Sequence, residues 1–79
     1  MAWRVVEHDD RRWNVTIAAE RRANSPQWNL VFSFRPADLG QRSFWATYPL
    51  SSTSRSALFA QAAQLSDDAI AAFLAEHLQ

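Results

Sequence analysis

The chain has 79 residues, 48% of them hydrophobic and 13% aromatic, with one glycine, three prolines and no cysteine. A chain of that length carries a single core, and the missing cysteine excludes disulfide staples, thiolate metal sites and thiol nucleophiles together. Eight arginines balance eight acids, and a net charge of zero argues against a dedicated polyanion binder.

The balance is uneven along the chain. Residues 1–55 hold all eight arginines against Glu7, Asp9, Asp10, Glu20 and Asp38, a surplus of +3, while residues 56–79 hold Asp67, Asp68 and Glu76 with no arginine or lysine, −3. The opening MAWRVVEHDD lacks an uninterrupted apolar stretch, and no window approaches the ~18 apolar residues of a membrane span. A soluble, cytoplasmic protein of one α+β domain is expected.

A repeat organises the first half: Trp3-Arg4-Val5, then Trp13-Asn14-Val15-Thr16-Ile17, then Trp28-Asn29-Leu30-Val31-Phe32. The spacing predicts strands over about residues 2–8, 12–20 and 27–35, since alternation rich in β-branched and aromatic types marks half-buried strands. In the first, Trp3 and Val5 are assigned to the core side, with Arg4 and Val6 opposite. In the second, Trp13, Val15, Ile17 and Ala19 share the core side against Asn14, Thr16, Ala18 and Glu20. In the third, Trp28, Leu30, Phe32 and Phe34 oppose Asn29, Val31, Ser33 and Arg35. His8-Asp9-Asp10-Arg11 reads as a polar turn, and Arg21-Arg22-Ala23-Asn24-Ser25-Pro26 as a longer one stopped by proline. Antiparallel neighbours place Trp13 and Trp28 toward opposite ends of the sheet, an arrangement that suits a core stripe better than an aromatic box.

A fourth strand is expected over about 43–49, after a loop carrying Pro36, Asp38 and the lone Gly40. Its phase is ambiguous. Placing Phe44, Ala46 and Tyr48 inside with Trp45 outside buries more aromatic area in line with Leu50, and is preferred. From Ser52 onward the composition turns helical. Leu58, Phe59, Ala62 and Leu65 recur at three- and four-residue intervals. Ser66 then reads as an N-cap, with Asp67 and Asp68 in the first turn and Leu65 stapled to Ile70. Two short helices over about 53–64 and 67–78 are expected, with one kinked helix as the alternative. The fold class is therefore α+β, a three- to four-stranded antiparallel meander with the helices on one face.

The chemistry of catalysis is thinly represented. His8 and His77 lack metal-ligand spacing. The His8-Asp9-Asp10 run is a solvated turn, Asp67 and Asp68 are explained by the helix start, and one glycine cannot build a phosphate loop. No catalytic residue, cofactor or metal is expected, because no nucleophile–base–orienter set is present. The serine run Ser51–Ser56, broken by Thr53 and Arg55, reads as a loop and helix cap. What remains is the uncovered face, with Arg4, Val6, Asn14, Thr16, Asn29, Val31, Arg35 and Trp45 as a candidate interaction surface. It is too apolar for a purely solvated back. A protein partner or a second copy of the chain is the expected occupant, with possible dimers. A nucleic acid read by Arg, Asn and Trp is the disfavoured alternative, because the Arg11/Arg12 and Arg21/Arg22 pairs fall at opposite ends of the meander. A small enzyme or ligand-binding domain is the third.

Overall fold

The computed structural model describes residues 2–37 and 42–78. Four strands, β1 (Arg4–His8), β2 (Arg11–Arg21), β3 (Trp28–Pro36) and β4 (Phe44–Ser52), form an antiparallel sheet in the order β1-β2-β3-β4. Two helices follow, α1 (Arg55–Ala63) and α2 (Asp67–His77), and both cover the same face of the sheet. The architecture is the expected α+β meander. Asp38 and Gly40, assigned to the β3–β4 loop from sequence, lie outside the described residues.

The local chemistry explains most of the boundaries. Asp9 and Asp10 have φ of 52° and 61°, so β1 and β2 are joined by a two-residue turn with both central residues left-handed. That mirror-image turn matches the twist of the flanking strands, and aspartate tolerates it better than branched residues do. Asn24, at φ 66°, does the same service between β2 and β3. Ser54 caps α1 by accepting from the Ala57 amide, and Ser66 caps α2 by accepting from the Ala69 amide at 3.1 Å. Ser66 thus separates two helices, as its place in the sequence implied.

The core lies between sheet and helices. Trp13, Val15, Leu30, Phe32 and Phe34 from β2 and β3 meet Leu58, Ala62, Ile70, Phe73 and Leu74 from the helices, all buried. Phe32 is its hub, with ring centroids 6.1 Å from Trp3, 5.8 Å from Phe34, 5.3 Å from Tyr48 and 5.7 Å from Phe73. Trp13 pairs with Pro36 and Trp28 with Arg21, so these two indoles stand at opposite ends of the sheet. In β4, Ala46 is buried and Phe44 and Tyr48 pack on the core while Trp45 points away, which is the preferred phase.

The first strand corrects the sequence reading. Val6 is 3% exposed in the core and Val5 is 48% exposed on the far side, the reverse of the assignment from sequence. The hairpin dictates this. A two-residue turn between His8 and Arg11 pairs residues whose numbers sum to 19, so the buried odd positions of β2 face even positions of β1, and Trp13 sits opposite Val6. Trp3 still reaches the core because it precedes β1 at a bend, anchored by its amide donating to the Val15 carbonyl at 2.8 Å.

Arg4 moves to the covered side for the same reason, and there it links the two helices. Its guanidinium donates to the Leu65 and Ala63 carbonyls at the end of α1, pairs with Asp67 Oδ1 at 3.3 Å at the start of α2, and lies 4.4 Å from the centroid of Trp3. A helix end leaves unpaired carbonyls and partial negative charge, which a cation satisfies. Arg4→Ala is therefore expected to cost about 2 kcal/mol, as charge-assisted bonds to two helix-end carbonyls, that of Leu65 partly buried, are lost. Asp67→Asn, at an exposed ion pair, should cost at most about 0.5 kcal/mol. Urea titrations of both variants check the ordering; equal losses would show that the carbonyl contacts contribute nothing.

Candidate interaction face

With the helices on one side, the register arranges the other side in rows across the strands. Val5, Asn14 and Arg35 form the first row, Thr16, Ser33 and Trp45 the second, Ala18, Val31 and Thr47 the third, and Glu20, Asn29 and Ser51 the fourth. Glu7 and Arg12 stand opposite one another beyond the first row, with 4.0 Å between Glu7 Oε1 and Arg12 Nε. Side chains directly opposite in antiparallel strands share a face, so these residues form one surface.

Six of the eight residues expected on this surface are brought together there: Asn14, Thr16, Asn29, Val31, Arg35 and Trp45. Arg4 and Val6 are not; they lie on the helix side for the reason of hairpin parity given above. Val5 and Glu7 take their places. The face is not uniform. Val31 is only 6% exposed and Ser33 is buried beside it, whereas Trp45 is 67% exposed, the most of any large hydrophobic residue among those described.

Arg35 and Thr16 border two adjoining hollows. One, of about 480 Å³, is lined by Ala2, Asn14, Thr16, Arg35, Pro36 and Ala37. The other, of about 360 Å³, is lined by Thr16, Ser33, Arg35, Ser43 and Trp45. The surface thus offers an indole, a guanidinium, amides and hydroxyls around a shallow relief. Apolar area, hydrogen-bond donors and a limited number of charges are the makings of a protein-binding surface.

Among the described residues the charges of these strands on this face cancel. Arg12 and Arg35 are matched by Glu7 and Glu20, all in the same strand phase. Among the described residues neither Arg35 nor Glu20 has an ion-pair partner, and they lie in the first and fourth rows, three rows apart.

The histidines lie elsewhere. His8 sits at the β1–β2 hairpin with Nε2 3.5 Å from Asp9 Oδ2. His77 ends α2, donates from Nδ1 to the Phe73 carbonyl at 2.9 Å and stacks on Phe44 at 6.1 Å between centroids. Among the described residues no group of three or more His, Asp or Glu side chains is placed to hold a metal ion, and no helix is long and apolar enough to cross a membrane. Comparison with protein-family models, curated proteins and solved structures finds no match.

Proposed function

We propose that the chain is a non-enzymatic protein-interaction domain of the cytosol and that its uncovered sheet face binds a protein partner. Trp45 carries the reading. An indole left two-thirds exposed beside Ser33 and Thr16 forgoes on the order of 3–4 kcal/mol of burial, a gain open to a partner that covers it. Tryptophan anchors of this kind are enriched where binding energy concentrates. The placement of His8 at the β1–β2 turn and His77 at the end of α2, both off this face, supports a role without catalysis there, and a cysteine-free sequence suits a reducing compartment.

Charge favours protein over nucleic acid. Backbone phosphates call for a surplus of cations on the contacting surface, and here Glu7 and Glu20 offset Arg12 and Arg35. Arg4, which the nucleic-acid alternative would use, is engaged with the Ala63 carbonyl of α1 and the Leu65 carbonyl beyond it. The test immobilises wild type, Trp45→Glu and a helix-side control, Leu78→Glu, and passes native extract over each. Proteins held by wild type and the control but lost with Trp45→Glu are the expected result. Identical retention on all three, or binding of labelled single-stranded or duplex oligonucleotides that weakens steeply with salt, would overturn the reading.

A further inference from the structure

We infer that the partner of the uncovered face is a second copy of this chain, stacked face to face about a two-fold axis. The inference rests on the reading above, that this face binds protein, and names its occupant.

The pattern of charge is self-complementary. A two-fold axis lying between the sheets and crossing the strands between the second and third rows sets the first row of one copy over the fourth row of the other. Arg35 of each copy then comes to Asn29 and, one strand away, Glu20 of its mate. One strand spacing is about 4.8 Å, and stacked sheets lie about 10 Å apart, within reach of an arginine and a glutamate extended toward each other. Arg35 and Glu20, the two charges of these rows without an ion-pair partner among the described residues, are thereby matched twice, as an isologous interface requires. The same axis lays Trp45 over Thr47 and Val31 of the other copy, in the third row.

Size agrees. A nine-residue strand such as β3 is about 30 Å long and four strands are about 19 Å across, so the face offers roughly 600 Å² in projection and more in accessible surface. A stable pair buries about 800 Å² on each partner.

The sheet's edges are poorer candidates. Unpaired backbone on an edge strand invites another strand, and proline, irregular register and charge discourage it. β4 contains Pro49, and two residues, Pro49 and Leu50, intervene where Tyr48 pairs with Leu30 and Ser51 with Asn29. β1 is five residues long, carries Arg4 and Glu7, and runs beneath α2. Stacking through the face is left open where edge addition is hindered.

Sedimentation equilibrium over a wide concentration series tests this. Wild type is expected to pass from monomer to dimer, and no further, with a dissociation constant on the order of micromolar. Arg35→Glu and Glu20→Arg should each weaken the dimer by about tenfold or more by placing like charges together. The double variant should recover to within about threefold of wild type. Trp45→Glu should weaken it about a hundredfold. All three positions of change are exposed, and far-ultraviolet circular dichroism verifies that each variant is folded. A dimer indifferent to Arg35, Glu20 and Trp45 would overturn the inference, as would a double variant no better than either single one. A wild type that stays monomeric while Trp45-dependent retention of extract proteins persists would overturn the second copy alone; loss of that retention as well would overturn the face.

Discussion

Phe32→Ala is expected to leave the chain largely unfolded at 37 °C. Phe32 is fully buried and packs on Trp3, Phe34, Tyr48 and Phe73, so its ring joins the sheet to α2 and to the residue preceding β1. Removing a buried phenylalanine costs about 3–5 kcal/mol, from lost transfer energy and from the cavity left behind. A domain of this length holds about 4–12 kcal/mol in total. The substitution therefore takes up most of the margin. Thermal unfolding followed by circular dichroism should show a midpoint lowered by about 15 °C or more. Phe32→Leu, which keeps much of the volume, should lose less than half as much. A Phe32→Ala midpoint within about 5 °C of wild type would mean that these rings can close the gap and that Phe32 is no hub.

The second large effect separates two adjacent valines. Val6→Asp puts a carboxylate into the core opposite Trp13, at a position only 3% exposed. Burying an unpaired charge costs several kcal/mol, and the chain is expected to unfold. Val5→Asp changes a half-exposed side chain opposite Asn14, and should cost no more than about 1 kcal/mol from reduced strand propensity. Urea titrations of the two variants at a concentration where the wild type is monomeric read the difference. A stable Val6→Asp beside an unfolded Val5→Asp would place the faces of β1 the other way round.

This pair also marks where the sequence was legible and where it was not. Alternation located β2 and β3 and divided their faces correctly, because each strand presents four or more apolar positions in phase and a one-residue slip would expose all of them. The Ser66-Asp67-Asp68 start divided the helices, since capping is written in consecutive residues. In β1 the signal was weaker. Val5 and Val6 are equally apolar, so periodicity offers no choice, and the echo of Trp3-Arg4-Val5 with Trp13-Asn14-Val15 suggested the wrong one. The information lay in the turn: a two-residue connection fixes parity, and parity places Val6 inside.

Arg4 followed that error. Its partners are the carbonyls of Ala63 and Leu65 and the carboxylate of Asp67, about sixty residues distant. No local pattern announces a contact of that range. The exposed position of Trp45 is legible only by comparing the aromatic area that each phase of β4 would bury, and alternation puts Glu20 on the outer side without marking it as a contact residue, because an exposed glutamate at a strand end is ordinary. Its significance appears once the register sets it three rows from Arg35 on the same surface.

One face of the sheet is sealed under the helices and the other is open, and the four indole N–H groups report on this arrangement. In a proton–nitrogen spectrum with a soluble paramagnetic probe, Trp45 should broaden strongly at low protein concentration, Trp13 should remain sharp, and the half-buried Trp3 and Trp28 should fall between. As concentration rises, Trp45 alone should become protected. Broadening of Trp13 to match Trp45, or a Trp45 signal as sheltered as Trp13 in the dilute monomer, would contradict it.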